Sequence, residues 1–290
     1  MHPTLLKFLS LEFHAYPAML AIAFLTCTLL AVRNLQHRNP PVDASPHAGL
    51  WVFVGALVGA KAYWILQYSE PRYLWRAVFI WEGGLVFYGG LIGGTLALLA
   101  YVWTNKLPLL ILVDAAAPAL ALGEAITRIG CFLNGCCWGR PGSVPWAVSF
   151  PRHSHPFEQQ VQDGLIQPSA LKSLAVHPTQ LYMTVGLVAA FILLSIVWAK
   201  PGPAGRVAAL YMVLYGILRF TVEAFRADSA YSISGMTVSQ TVSLGLVITG
   251  LALLLVLARI AKKNPHSEQS QAIPSCGESA DSPSNDENPS

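Results

Sequence analysis

Long apolar stretches separated by short polar segments dominate the chain. The seven stretches run over about Ala15 to Val32, Gly49 to Tyr68, Gly84 to Trp103, Leu107 to Arg128, Pro178 to Trp198, Gly205 to Phe225 and Val238 to Leu257. An apolar helix of about 20 residues crosses the hydrocarbon core of a bilayer. The pattern therefore predicts an all-α integral membrane protein with about seven transmembrane helices and with its termini on opposite sides.

The composition agrees with this class. Hydrophobic residues make up 54% of the 290 residues and charged residues only 11%, whereas soluble domains carry about 25% charged residues. The net charge of +3 is spread along the chain, so the basic patch typical of a nucleic-acid-binding protein is missing and nucleic acid is excluded as a partner. No basic segment followed by a cleavage site precedes the first stretch, which is therefore expected to be retained as a span.

The polar segments predict the orientation and the domain organisation. Four compact segments are basic and alternate with the spans: Arg33 to Arg38, Thr104 to Lys106, Lys200 to Arg206 and Arg259 to Lys263. By the positive-inside rule they place the N-terminus outside and the C-terminus in the cytoplasm. Residues 1–263 then form one membrane domain, in which residues 134–176 form a small extracytoplasmic head. Residues 264–290 are predicted to be a disordered cytoplasmic tail.

Three arginines lie within or at the ends of apolar stretches. They are Arg128, Arg219 and Arg226. A guanidinium at the centre of a membrane helix costs about 2.5 kcal/mol or more, so such residues usually bind an anionic group. Glu223 lies on the same helical face as Arg219 and Arg226, and Glu124 lies one turn before Arg128. Internal ion pairing explains part of this pattern, but two arginines share Glu223, and a lipid phosphate would neutralise the excess positive charge.

Other polar motifs permit more than one interpretation. Glycines between Gly83 and Gly94 fit close helix packing, or a close approach of the backbone to phosphate. His177 precedes a helix that Pro178 is suited to begin. Cys131, Cys136 and Cys137 have a spacing of five and then one, which matches no established zinc pattern, so a disulfide or simple packing is favoured and no metal or cofactor is expected.

Taken together, four motifs resemble those of the bacterial prolipoprotein diacylglyceryl transferase family. They are the glycine run Gly83 to Gly93, Arg128 to Gly135, His177 to Tyr182 and Arg219 to Arg226. The resemblance implies transfer of the diacylglyceryl group of phosphatidylglycerol to the lipobox cysteine of preprolipoproteins, with release of glycerol phosphate. It also implies a bacterial cytoplasmic (inner) membrane location, membrane lipid as a partner, and a phospholipid contact at Arg128.

The resemblance implies the site residues. The expected catalytic residues are Arg128, Arg219, Tyr88 and Glu223. The expected substrate-binding residues are Arg128, Arg219, Arg226, Tyr16, Asn134, His177, Gly89 and Gly90. Tyr88 stands where many members have histidine, and Cys131 replaces an asparagine. Because an ordinary tyrosine has a pKa near ~10, Tyr88 is better suited to donate a hydrogen bond to phosphate or ester oxygen than to act as a base.

The sequence also permits three other functions. The arginines would equally serve a carrier of lipid or organic anions that breaks no bond. Tyr88 and Cys131 would fit a family member with another acceptor or without activity. A quinone-linked thiol oxidase would use Cys131 with Cys136 or Cys137, but it would give the arginines no role.

Overall fold

The computed structural model describes residues 4–8, 11–37, 47–68, 86–227 and 235–263. Helices dominate these ranges, and one short antiparallel hairpin precedes them. The elements are β1 (Thr4–Phe8), β2 (Leu11–His14), α1 (Ala15–Gln36), α2 (His47–Tyr68), α3 (Phe87–Thr104), α4 (Leu109–Asn134), α5 (His155–Gln162), α6 (Thr179–Ala199), α7 (Arg206–Glu223) and α8 (Val238–Lys263). The hairpin pairs Thr4 with His14 and Phe8 with Leu11, and the prediction of an all-α fold did not include it.

Five of the described helices, α1, α2, α4, α6 and α8, are long and apolar enough to cross a membrane. The chain is therefore a multi-pass membrane protein, as its sequence pattern predicts. The apolar part of α3, Tyr88–Thr104, is shorter than these five. Helix α7 falls outside this group because its 18 residues include Arg206, Arg219 and Glu223. The predicted count of seven spans therefore remains a proposal for these two helices.

The helices run up and down beside one another. Helix α1 is antiparallel to α4, since Gly130 packs against Tyr16 near one end, and Asn34 donates a 2.8 Å hydrogen bond to the carbonyl of Ala115 near the other. Helices α6, α7 and α8 continue this alternation. We call the end of the bundle where α4 and α7 end and α6 and α8 begin the head end.

A cluster of buried hydrophobic residues lies where α4, α6 and α7 meet, away from the head end. It consists of small side chains of α4 and large side chains of α6 and α7. Its buried members are Ala115, Ala117, Ala121, Leu194, Trp198 and Val207. Small residues on α4 let neighbouring backbones approach closely, which favours helix association where lipid surrounds the bundle.

A buried carboxylate connects α4 to the start of α7. Asp114 is 2% exposed, and its two oxygens accept 2.7 Å hydrogen bonds from the backbone N–H groups of Gly205 and Ala208. The first N–H groups of a helix have no partner inside the helix, and a negative charge there is favoured. Asp114 therefore acts as the cap of α7 from a different helix.

Helices α2 and α3 form a closely packed pair. A Cβ added at Gly59 would lie 2.7 Å from the Cα of Gly93, and a Cβ added at Gly93 would lie 2.8 Å from the Cα of Gly59. Only residues without a side chain allow the two backbones this approach. The packing interpretation of Gly93 is therefore confirmed. The pair meets α1 through Phe53, whose ring centroid lies 5.1 Å from that of Phe24.

The segment between α4 and α6 folds around the buried ring of Phe150. It contains α5 and isolated bridges that join Pro141 and Val148 to Val176, and Pro151 to Lys172. The buried amide of Gln160 accepts a 2.7 Å hydrogen bond from the N–H of Leu174. This segment covers the residues of the predicted extracytoplasmic head, which stays a prediction, and the predicted tail lies outside the described residues.

Candidate active site

Glu223, in the last turn of α7, lies between two arginines. Its Oε2 is 2.9 Å from Nη1 of Arg219 and 3.8 Å from Nε of Arg226. The spacings of four and three residues place all three side chains on one face, as the sequence predicts. Only 3% of the Glu223 side chain is exposed. A charge pair so well shielded from water is strongly coupled, because low dielectric surroundings strengthen electrostatic attraction.

The start of α8 holds this cluster in place. The hydroxyl of Thr237 donates a 3.1 Å hydrogen bond to Oε1 of Glu223. Nη2 of Arg219 donates a 2.9 Å hydrogen bond to Oγ of Ser239. The carboxylate and one guanidinium are thus held by groups from two helices.

Arg128 forms a second cationic group on α4, near the head end. Its Nη2 donates a 2.7 Å hydrogen bond to Oε1 of Glu124, and the hydroxyl of Tyr215 on α7 approaches the same oxygen at 3.4 Å. The Nε–H of Arg128 is buried and has no hydrogen-bond partner among the described residues. A buried donor of this kind is costly unless a ligand or water satisfies it.

The two clusters are electrostatically coupled. Arg128 and Arg226 both lie close enough to Arg219 for their positive charges to act on it. Three guanidinium groups therefore meet two carboxylates, those of Glu124 and Glu223, near the head end. This set of side chains carries a formal charge of +1, which favours an anion beside it.

Backbone pairing connects the ends of α4 and α7. The N–H of Arg140 donates a 2.8 Å hydrogen bond to the carbonyl of Phe225, and the N–H of Gly139 donates a 3.0 Å bond to the carbonyl of His177. A Cβ added at Gly139 would lie 2.8 Å from the Phe225 carbonyl oxygen. Residues 139 and 140, which follow α4, therefore lie between the start of α6 and the end of α7 and pair with both.

His177 belongs to a hydrogen-bonded group of three side chains at the head end. Its Nδ1 lies 3.0 Å from the hydroxyl of Tyr182, which accepts a 2.7 Å hydrogen bond from Nε1 of Trp146. Because the indole can only donate, the tyrosine proton is free to point at His177, which leaves Nδ1 as the acceptor. The His177 ring also packs against Phe225, with 5.3 Å between centroids.

Tyr16 and Asn134 lie close to the cysteines of the α4 end. A Cβ added at Gly130 would lie 3.7 Å from the Cα of Tyr16. The side chain of Asn134 hydrogen-bonds to Cys136. The pKa of the Cys137 thiol is lowered, first by its hydrogen-bonding contacts with the thiols of Cys131 and Cys136 and then by the nearby positive charges of Arg226 and Arg128.

Three of the predicted site residues lie on α3, which packs against α2 and does not carry the arginines. Tyr88, Gly89 and Gly90 begin α3, and Tyr88 is 64% exposed. Gly89 contacts the backbone of Gly59 and the side chain of Tyr63 on α2, and an added Cβ would have no room there. Gly90 makes only ordinary contacts with α2. The geometry thus accounts for Gly89 through helix packing.

Comparison with known proteins decides the family. The family model described as prolipoprotein diacylglyceryl transferase matches residues 3–256. The chain belongs to this family. It is 31% identical to the phosphatidylglycerol–prolipoprotein diacylglyceryl transferase of Bordetella avium, over 91% of this chain and 97% of the relative. It is 33% identical to the enzyme of that name from Pseudomonas syringae pv. syringae, over 90% and 94% of the two chains. The Clostridium tetani enzyme of that name is 30% identical, over 87% and 96%.

The structure adds residues that the motifs of this transferase family do not explain on their own. Tyr215, Thr237 and Ser239 contact the charged groups. Within the motif from His177 to Tyr182, Thr179 and Gln180 contact the backbone of the cysteine turn. Tyr215 could have been identified from the sequence, because it lies four residues before Arg219 and so on the same helical face. Thr237 and Ser239 precede an apolar stretch and offer no pattern that distinguishes them from an ordinary helix start.

Proposed function

We propose that the chain transfers the diacylglyceryl group of phosphatidylglycerol to the lipobox cysteine thiol of preprolipoproteins. Family membership supports diacylglyceryl transfer, which is the first step of lipoprotein lipidation. The names of the relatives support phosphatidylglycerol and a prolipoprotein as the two substrates. The four motifs that indicated the family lie within the matched residues.

The observation that carries the proposal is the group of three arginines around two carboxylates, with the Nε–H of Arg128 buried and lacking a partner among the described side chains. A phosphate would satisfy that donor and balance the excess positive charge. Guanidinium groups suit this ligand because they stay protonated and bind two oxygens at once.

In the proposed reaction, the thiol proton of the acceptor cysteine passes to water, and the sulfur attacks the glyceryl carbon that carries the phosphate. The carbon–sulfur bond forms as the carbon–oxygen bond breaks, and glycerol phosphate leaves with the electron pair. Arg128 and Arg219 stabilise the leaving phosphate, where negative charge grows. Removing one such preorganised donor typically lowers kcat by about 100- to 1000-fold. Glu223 holds Arg219 and Arg226 in position.

The remaining site residues have supporting roles in this proposal. Tyr88 donates a hydrogen bond to a phosphate or ester oxygen of the lipid. Tyr16, Asn134 and His177 line the substrate space at the head end. Gly90 allows the lipid to approach the start of α3, whereas the contacts of Gly89 favour a packing role.

The topology follows from the same proposal. Helices α3 and α7 also cross the membrane, because each lies antiparallel to a membrane-length partner, α2 and α8 respectively. The head end faces outward, so the N-terminus is outside and the C-terminus is in the cytoplasm of a bacterium, with the bundle in its inner membrane. The arginines then lie at the leaflet where a secreted lipoprotein precursor emerges.

Complementation of a strain depleted of its own diacylglyceryl transferase tests the proposal. The wild-type chain should restore growth and lipidate a lipobox reporter, and Arg128→Ala and Arg219→Ala should do neither at equal membrane abundance. Arg33→Ala is the matched control, because Arg33 is exposed in the last turn of α1, at the opposite end of the bundle. Normal lipidation by both site variants would refute the proposed roles. A carrier would bind phosphatidylglycerol without releasing glycerol phosphate.

A further inference from the structure

The three cysteines at the end of α4 converge in space. The Sγ atoms of Cys131, Cys136 and Cys137 all lie within 4.8 Å of one another. Cys131 is buried and the other two are partly buried. The spacing of five and one along the chain does not reveal this convergence. It arises because α4 stops between the first cysteine and the other two.

The turn that brings the thiols together is specifically built. Gly135 caps α4 in the left-handed conformation, with φ of 77°, and Cys137 itself has φ of 60°. A left-handed conformation is uncommon for a residue other than glycine and is held only where the surroundings enforce it. The N–H of Cys136 returns to the carbonyl of Cys131 at 3.1 Å, so the second and third thiols fold back over the first.

Two buried side chains of α6 clamp the same turn. The hydroxyl of Thr179 donates a 2.6 Å hydrogen bond to the carbonyl of Cys137, and the amide of Gln180 donates a 2.7 Å bond to the carbonyl of Cys136. Thr179 and Gln180 are 2% and 1% exposed. These hydrogen bonds hold the backbone of Cys136 and Cys137 and thereby fix the turn from which their thiols project.

We propose that these three thiols bind a soft metal ion of the Cu(I) and Zn(II) class. Sulfur atoms that share one cation at about 2.3 Å from each stand roughly 4 Å apart, which the observed separations accommodate. Thiolates select soft cations over the hard cations that carboxylates prefer. A disulfide would use two of the sulfurs and leave no role for the third, although all three converge.

The surroundings favour the complex electrostatically. Three thiolates around a monovalent or divalent cation keep a net negative charge, and the guanidinium groups of Arg226 and Arg128 lie near Cys137. Tyr16 packs beside Gly130, next to Cys131. The metal site therefore adjoins the proposed lipid site but uses different side chains, and its existence does not depend on diacylglyceryl transfer.

The test uses the full-length protein purified in detergent under anaerobic, reducing conditions. Zn(II) or Cu(I) is titrated in competition with a chromophoric chelator, and the metal is counted by mass spectrometry. One equivalent should bind, and Cys131→Ser, Cys136→Ser and Cys137→Ser should each weaken binding by more than the ~10- to 100-fold that loss of a supporting hydrogen bond costs. Cys27→Ser is the matched control, because Cys27 lies in α1, where its thiol hydrogen-bonds to the Ala119 carbonyl at 3.0 Å.

A second measurement needs no variant. Bound metal should protect Cys131, Cys136 and Cys137 from alkylation and leave the alkylation of Cys27 unchanged, as mapped on peptides. The proposal is overturned if the wild type binds less than a tenth of an equivalent with all three thiols reduced. It is equally overturned if two of the three are joined as a disulfide after purification without reductant, or if the serine variants bind the metal as tightly as Cys27→Ser.

Discussion

Nη1 of Arg219 lies 2.9 Å from Oε2 of Glu223, one turn further along α7, in a place where the carboxylate is almost fully buried. We expect Glu223→Gln to destabilise the protein by about 3 kcal/mol, because removing one partner of a buried ion pair leaves the other charge uncompensated. Lipidation should also fall at least about tenfold, since Arg219 and Arg226 then repel each other and lose their positions. Thermal unfolding in detergent and reporter lipidation measure the two effects.

Glu158→Gln is the control for this change, because Glu158 is an exposed residue of the short helix α5. It should alter neither stability nor lipidation, since exposed charges contribute little. If Glu223→Gln behaves like Glu158→Gln, the carboxylate does not organise the arginines.

Tyr88 tests whether α3 takes part in the reaction together with the arginines of α4 and α7. If its hydroxyl donates to the lipid, Tyr88→Phe should lower transfer by about tenfold, the equivalent of one hydrogen bond of roughly 1.4 kcal/mol. Tyr88→His should retain more activity, because imidazole restores a polar hydrogen at that position. Tyr101→Phe on the same helix is the matched control. Full transfer by Tyr88→Phe would exclude the hydroxyl from the reaction.

The sequence predicted the helices and the arginine face well, because both depend on local periodicity. The spacing of Arg219, Glu223 and Arg226 implies one face in any regular helix. The position of Arg128 opposite that face was not predictable from spacing, since it depends on how α4 packs against α7. The convergence of all three thiols was also not predictable from their spacing, which fitted a disulfide or simple packing. A left-handed Gly135 and a strained Cys137 bring together residues whose order along the chain matches no metal motif.

The hairpin before α1 and the cap at Asp114 were also beyond sequence reasoning. Asp114 lies in the middle of an apolar stretch, and its partners are backbone groups more than 90 residues away. The pattern of side chains along one helix does not predict which backbone groups of another helix will lie beside it.

Asp114 is predicted to stabilise the fold and to have no direct effect on the reaction. Asp114→Asn should destabilise the fold by about 2 kcal/mol, because the amide keeps only part of the charge-assisted bonding to the first turn of α7. Asp114 lies far from the head end, so the lipidation rate per folded molecule should stay unchanged. Asp163→Asn, at the exposed end of α5, is the control. A loss of rate that exceeds the loss of folded protein would contradict this assignment.

Tyr182 tests whether the hydrogen bonds around His177 matter for structure. Tyr182→Phe removes the bonds to both His177 and Trp146. The partly buried imidazole then loses its partner, at a cost of about 1 kcal/mol. Because Trp146 is 59% exposed, water replaces the bond to its indole. We expect a drop in melting temperature of roughly 2–4 °C in detergent. Tyr211→Phe provides the control on α7, and equal melting of the two variants would contradict the prediction.

The close contact between α2 and α3 allows a matched pair of glycine substitutions. At Gly59 an added methyl group would meet the backbone of α3 on two sides, whereas at Gly245 in α8 nothing lies within 4 Å. Gly59→Ala should therefore force α2 and α3 apart and cost about 1–3 kcal/mol. Gly245→Ala should be neutral or slightly stabilising, because alanine favours the helical backbone by up to about 1 kcal/mol. Thermal unfolding of both variants in the same detergent gives the comparison. Equal stability would mean that α2 and α3 tolerate a wider separation, and the glycines at the start of α3 would then need a reason other than packing.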